Sequence, residues 1–164
     1  MAKISHKDTL PIIDKVRDRV KDSKVYKDIC KDIGVDEDII YLVPMAFADL
    51  DVSARTERGC IYFNIALLED GFGDDDHYMI HELKHWAQQC FGDGPTRGSA
   101  DSEDYLDNEF EQEGFQAQTE YLSETRGDQA AEEYVEQVLD HHDVKQTDRE
   151  ERRKDLLNIA YQLI

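Results

Sequence analysis

The chain is organised around residues 78–89, which read Tyr78-Met79-Ile80-His81-Glu82-Leu83-Lys84-His85-Trp86-Ala87-Gln88-Gln89. Apolar residues recur in this segment at helical spacing, so it predicts a buried helix. Four residues separate His81 from His85, and this spacing places both imidazoles on one face of the helix. Two imidazoles arranged in this way can bind one zinc ion, so His81 and His85 are predicted metal ligands.

Glu82 follows the first of these histidines and lies about 100° round the helix from it, at ~3.6 residues per turn. That offset suits a carboxylate that does not ligate zinc but reaches a water molecule bound to it. Zinc lowers the pKa of such a water to about 7, and a neighbouring carboxylate can then take its proton. Glu82 is therefore the predicted general base, and His-Glu-x-x-His is typical of zinc metalloproteases.

His77 lies four residues before His81, one turn earlier on the same face of the predicted helix. It lies ~12 Å of helix rise from His85, whereas an imidazole must approach zinc to about 2.0–2.1 Å, so the two cannot share an ion. We expect His77 on the wall of a cleft or at the surface.

A third protein ligand is needed to complete a catalytic zinc site, and the acids of a predicted helix over residues 103–123 are the candidates. Glu113 lies at the border of the buried face of that helix, whereas Glu109 is further round and Glu111 points away. Gly114 would allow the motif helix to approach closely. The sequence therefore predicts Glu113 as the third ligand. The buried face is marked by apolar residues within about 60° of one another: Leu106, Phe110, Ala117 and Tyr121.

Strand-forming residues are concentrated ahead of the motif, at 43–54 and 60–65. The turn between them ends at Gly59, so the pattern predicts a hairpin that feeds the motif helix. The chain is expected to be α+β, with a small antiparallel sheet packed on the motif helix and the second, Glu-bearing helix beside it.

Amphipathic patterns outside this core predict additional helices at both termini, near 7–21 and 24–33 and in the tail. The length suits one domain with its own core. We therefore expect residues 1–164 to form a single domain, with its core at about 45–125 and helical extensions at 1–42 and 128–164.

Two runs of sequence carry a family resemblance. The first is Tyr62-Phe63-Asn64 followed by His81-Glu82-Leu83-Lys84-His85-Trp86, and the second is Tyr105-Leu106-Asp107-Asn108 followed by Glu111-Gln112-Glu113-Gly114-Phe115-Gln116. Together they resemble the small zincin-like metallopeptidase domains found in bacteriophage genomes, over about residues 45–125. These domains look like gluzincins, in which the last Glu of a Glu-x-Glu-Ala segment is the third zinc ligand.

The resemblance implies hydrolysis of peptide bonds by zinc held on His81, His85 and Glu113, with Glu82 as general base. The chain departs from the family pattern by having Gly114 where Ala is usual, and Glu109 where Pro or a small residue often stands. A second donor to the developing oxyanion is usual in such chemistry. Tyr105, Tyr121 and His77 are the candidates for it, and the sequence leaves the choice among them open.

Charge and cysteine content indicate the class of partner and the compartment. With 19 Lys and Arg against 38 Asp and Glu, the net charge is −19. Such a surface repels phosphate, so no direct contact with nucleic acid is expected, and a basic protein or peptide substrate is favoured. Three widely spaced cysteines argue against a secreted disulfide scaffold. The sequence shows neither a signal-peptide core nor a long apolar run, so we expect no membrane contact and a cytoplasmic location, which could be in a host cell.

Two other functions are compatible with the same residues. The chain could be a zinc-binding domain without turnover. It could also be an acidic interaction or inhibitor protein that imitates nucleic acid and occupies a basic partner. Stoichiometric zinc is required by the first of these and not by the second.

Overall fold

The structure is a computed structural model that describes residues 6–92 and 109–141. Within these ranges it contains helices and a small three-stranded sheet, which confirms the predicted α+β class. The α-helices are α1 (His6–Lys21), α2 (Lys24–Ile33), α3 (Asp76–Phe91), α4 (Glu109–Arg126) and α5 (Asp128–His141). The strands are β1 (Met45–Ala48), β2 (Ala54–Glu57) and β3 (Cys60–Asn64), and 3-10 helices cover Glu37–Tyr41 and Ile65–Asp70.

The predicted hairpin is formed by β2 and β3, which pair antiparallel. Its two-residue turn places both Arg58 (φ 53°) and Gly59 (φ 77°) in the left-handed region. This is the backbone that the right-handed twist of a tight hairpin requires, and glycine adopts it without steric cost.

The sheet is mixed, not antiparallel as predicted, because β3 inserts between β1 and β2 and runs parallel to β1. The side chain of Asn64, at the end of β3, donates to the carbonyls of Leu50 and Val52 at 3.0 Å each. Its backbone N–H donates to Ser53 O at 2.8 Å. The segment after β1 is therefore held across the end of β3, and β2 returns along the far side of that strand.

The sheet, α1 and α3 enclose the core. Phe63 is fully buried and packs with Phe47 and Phe72, whose ring centroids lie 4.8–5.8 Å from one another. Close aromatic packing of this kind stabilises a core beyond simple burial of area. The motif helix α3 contributes the fully buried Met79 and Ile80 to the same core. Its position in the fold is therefore set by apolar packing on one side.

A buried polar clamp aligns α3 with α4. Asp76, in the first turn of α3, is 1% exposed and accepts a hydrogen bond from the Tyr121 hydroxyl at 2.5 Å. Arg126, at the end of α4, donates to the same carboxylate and to Asp74 O, and Arg19 of α1 lies 3.5 Å away. A buried carboxylate is tolerated only when it is paired in this way, so the clamp fixes three helices together.

Helix α5 is the first of the two tail helices that the sequence predicts, and the second lies outside the described residues. Within the described ranges, no helix is both long and apolar enough to cross a bilayer. Cys30, Cys60 and Cys90 are free thiols.

Candidate metal centre

Three buried side chains converge between α3 and α4. The Nε2 atoms of His81 and His85 lie 3.0 Å apart. Glu111 of α4 places Oε1 2.6 Å from His85 Nε2 and Oε2 3.6 Å from His81 Nε2. All three residues are at most 6% exposed. This group can hold a metal ion, since its ligand atoms all lie within 4.8 Å of one another.

The separations within the cluster fit one small cation. Two donor atoms bound to zinc at about 2.0–2.2 Å in a tetrahedral arrangement lie roughly 3.3 Å apart. The observed separations of 2.6, 3.0 and 3.6 Å scatter about that value. The donor set is also chemically suitable, because imidazole nitrogen and carboxylate oxygen are the ligands that catalytic zinc sites use.

The third carboxylate of the cluster is Glu111, and the prediction of Glu113 is corrected accordingly. Glu113 instead accepts a hydrogen bond at 2.9 Å from the Nε2 amide of Gln88 on α3. Two residues along α4 rotate the side chain by about 200° at ~3.6 residues per turn, so Glu113 does not share the helix face of Glu111. The prediction that Glu111 points away is also wrong, since that residue is 3% exposed.

The helical phase of α4 explains the error. Glu111, Phe115, Gln118 and Leu122 lie within about 60° of one another at ~3.6 residues per turn, and all four are buried. Ala117 and Tyr121 form a second buried face of the helix. The sequence indicated only the second face, because the face toward the histidines contains polar residues that give no hydrophobic signal.

Gly114 permits the close approach that the sequence predicted. A Cβ atom at this position would lie 2.8 Å from His81 Nε2 and 3.0 Å from the ring carbons Cδ2 and Cε1. The imidazole of His81 therefore rests directly on the backbone of α4. It also packs edge-on against Phe115, with ring centroids 5.0 Å apart and planes at 87°.

Glu82 is held beside the cluster and does not belong to it. The Thr56 hydroxyl of β2 lies 3.0 Å from Glu82 Oε1 and 3.1 Å from the Glu82 backbone carbonyl. Thr56 is 1% exposed and Glu82 5% exposed. The hairpin therefore positions the predicted general base, and no motif in the sequence identified Thr56 for this task.

The ring nitrogens on the far side of the two histidines are bound by glutamine amides. The Oε1 atom of Gln118, on α4, lies 2.8 Å from His81 Nδ1, and the Nε2 atom of the same amide lies 2.6 Å from His77 Nδ1. Gln88 lies with Oε1 2.7 Å from His85 Nδ1. Sequence reasoning missed both residues. Gln88 follows His85 by three residues, a spacing at which helical side chains meet, and this could have indicated it.

The residues predicted as cleft or oxyanion groups have different surroundings. His77 is buried, and its pKa is lowered to about 4 by burial and by the nearby Arg126, so it is neutral near pH 7. The Tyr121 hydroxyl is engaged by Asp76. Tyr105 lies outside the described residues. Tyr134 of α5, which the sequence did not indicate, packs on His77 with ring centroids 5.1 Å apart, and its hydroxyl faces the Gln118 amide.

The electrostatics of the cluster couple His85 to Glu111. Burial lowers the pKa of His85, but hydrogen bonding to Glu111 and the charges of Glu82 and Glu111 outweigh it and raise the pKa to about 9. Burial alone would raise the pKa of Glu111, but its hydrogen bonds to His81 and His85 hold that pKa far below the usual range. The carboxylate is therefore ionised, and a cation at this position is favoured.

We compared the chain with models of protein families, with curated proteins and with solved structures, and none of these comparisons gave a match. The zincin resemblance of the two sequence runs therefore stays a prediction. The assignment of a function depends on the chemistry of the cluster itself.

Proposed function

We propose that the protein is a zinc-dependent hydrolase of peptide bonds. The observation that carries this proposal is the convergence of His81 Nε2, His85 Nε2 and the Glu111 carboxylate, with the Glu82 carboxylate held beside them. Three protein ligands and an adjacent carboxylate that is not a ligand are the parts that zinc hydrolysis needs.

The identity of the metal is part of the proposal. Two imidazoles and one carboxylate also form a ligand set for ferrous iron in oxygenases. Glu82 favours the hydrolytic alternative, because Thr56 holds this additional carboxylate next to the ligands. When bound, zinc would supply Lewis acidity and would lower the pKa of water, so that a nucleophile forms near neutral pH.

Glu82 would act as the general base. Its Oε1 is engaged by the Thr56 hydroxyl, so proton transfer falls to Oε2. The carboxylate would take a proton from the attacking water and later deliver it to the leaving amine. General acid–base catalysis of this kind contributes roughly 10²–10⁴ in rate.

We assign Tyr134 to the developing oxyanion, because its ring packs on His77 and its hydroxyl faces the Gln118 amide, which contacts His81 Nδ1. Burial raises the pKa of Tyr134 well above its ordinary value, and the nearby Tyr78, Glu82 and Glu111 raise it further. The phenol therefore keeps its proton and can donate it in a hydrogen bond. A donor prepared in this way stabilises charge that appears only in the transition state.

The substrate class we propose is basic peptides or proteins. The net charge of −19 supports this, because an acidic surface attracts cationic chains and accelerates their association. The three free thiols support a reducing compartment such as a cytoplasm as the place of action.

The test is zinc-dependent cleavage of a peptide library prepared from a whole proteome, with new termini read by mass spectrometry. We expect about one zinc per chain and new termini that disappear with a chelator and with Glu82→Gln, which keeps shape and removes basicity. Glu37→Gln, on the 3-10 helix after α2, is the matched control and should cleave normally.

Each alternative gives a different result in this test. A folded Glu82→Gln protein that cleaves at the wild-type rate would refute the mechanism. Bound zinc without cleavage would indicate a metal-binding domain without turnover. A folded protein without stoichiometric metal would favour the acidic interaction protein.

A further inference from the structure

Each histidine of the cluster directs its second ring nitrogen at the side-chain amide of a glutamine. His81 Nδ1 lies 2.8 Å from Gln118 Oε1, and His85 Nδ1 lies 2.7 Å from Gln88 Oε1. Gln118 comes from α4 and Gln88 from the last turns of α3. The two contacts are equivalent in kind although they come from different parts of the chain.

The contact made by the amide nitrogen of each glutamine shows which way its side-chain amide is turned. Gln88 Nε2 faces the Glu113 carboxylate at 2.9 Å, and an ionised carboxylate can only accept, so the amide nitrogen must be on that side. Gln118 places its Nε2 2.6 Å from His77 Nδ1, and because an amide nitrogen donates, Nδ1 of His77 is the accepting nitrogen of that ring. In both cases the amide oxygen is left to face the metal-binding histidine.

An amide oxygen accepts hydrogen bonds and cannot donate them, so Nδ1 of both histidines must carry the proton. Once His85 gives up its second proton, the lone pair of each ring lies on Nε2, and both Nε2 atoms face Glu111. Gln118 is 0% exposed and Gln88 is 8% exposed, so bulk water has little access to take over either contact.

We propose that Gln88 and Gln118 are positioning residues of the metal centre, which fix the tautomer and the ring orientation of His85 and His81. Both partners are neutral amides. A carboxylate at the same place would make the ligating imidazole more basic, so we also infer that the amides hold the metal affinity below its attainable maximum. This inference rests on the proposed metal site and goes beyond it by naming the residues that set its affinity.

The test compares zinc affinities by competition with a chromophoric chelator. Gln118→Leu keeps the packing and removes the acceptor, and it should weaken zinc binding by about 10–100-fold, as expected for a residue that orients a ligand. Gln118→Glu restores an acceptor oxygen at the same place and should bind zinc at least as tightly as the wild type. Gln116→Leu alters a partly buried glutamine of α4 whose side chain donates to Glu120, and this variant should bind zinc normally.

Two results would overturn the inference: wild-type affinity in Gln118→Leu, or an affinity of Gln118→Glu no better than that of Gln118→Leu. A purely structural role for Gln118 predicts the second result, because a buried charge would not rescue packing.

A measurement on the unsubstituted protein covers the case in which these variants fail to fold. Long-range ¹⁵N–¹H correlation on the zinc-loaded protein should show a protonated Nδ1 and a coordinated Nε2 in both His81 and His85. Coordination through Nδ1 of either ring would refute the proposal. A wild type that binds no zinc would refute the proposed function and this inference together. Zinc binding that is normal in Gln118→Leu refutes the inference alone, and zinc binding without cleavage refutes the peptidase alone.

Discussion

Replacing Gly114 by alanine should damage the metal site more than it damages folding. The added Cβ would lie 2.8 Å from His81 Nε2, whereas carbon contacts are comfortable at about 3.5–4.0 Å. The imidazole or the helix must therefore shift by roughly 0.7 Å. Metal–ligand distances tolerate only about ±0.2 Å, so the shift removes His81 from an effective ligating position.

The change in folding stability caused by Gly114→Ala is smaller than its effect on the metal site, because two effects on stability oppose each other. Alanine is favoured over glycine inside a helix by roughly 0.5–1 kcal/mol. Overpacking of a tight interface costs about 1–3 kcal/mol. We therefore expect a net loss of folding stability of about 0–2 kcal/mol together with zinc binding weakened by at least about tenfold, which is ~1.4 kcal/mol.

Urea denaturation of the metal-free protein gives the first quantity, and chelator competition gives the second. Gly73→Ala is the matched control, because a Cβ at Gly73 meets nothing within 4 Å. If Gly114→Ala folds and binds zinc within twofold or threefold of the wild type, the close packing of His81 on α4 is wrong.

Four further outcomes are expected. Glu111→Gln should weaken zinc binding by more than about 100-fold, beyond the loss for a residue that only orients a ligand, whereas Glu113→Gln keeps an acceptor for Gln88 and should bind nearly normally; equal losses would contradict the assignment of Glu111. Lowering the pH should destabilise the metal-free protein through His77. Because burial lowers its folded pKa to about 4 from 6.5, stability is lost between those values, by up to about 3 kcal/mol, and a His77→Gln variant with an unchanged pH slope in urea denaturation would contradict this. Tyr134→Phe should lower turnover by about 10²–10³ with zinc content and KM unchanged, and normal turnover would remove Tyr134 from the chemistry. Cleavage of a basic peptide should slow with added salt, as the Debye length falls from about 30 Å at 0.01 M to about 10 Å at 0.1 M; a neutral peptide is the control, and equal salt sensitivity would leave the acidity without a role in selection.

The helix with its two histidines could be predicted from sequence because residue type, spacing and apolar pattern all agree over a dozen positions. The hairpin was predictable for a similar reason, since Gly59 and the strand formers around it are local signals. The parallel pairing of β1 was not. It depends on the contacts of Asn64 with a segment more than ten residues away, and no local pattern contains that information.

The third carboxylate was missed for a different physical reason. An apolar stripe in the sequence predicts the helix face that packs against other apolar side chains. The face of α4 that contacts the histidines carries the buried polar residues Glu111 and Gln118 instead. These polar residues are buried because they contact the imidazoles of α3, and a hydrophobic pattern does not register such contacts. The same holds for Thr56, whose importance appears only when β2 is seen beside Glu82.

The clamp between Asp76, Tyr121 and Arg126 also affects the cluster of His81, His85 and Glu111. It joins the beginning of α3 to the end of α4, and the cluster of His81, His85 and Glu111 lies further along the same pair of helices. The alignment that brings these three ligands together is thus enforced by contacts between the helices themselves. The spacing of the three side chains therefore depends on residues that do not themselves belong to the cluster.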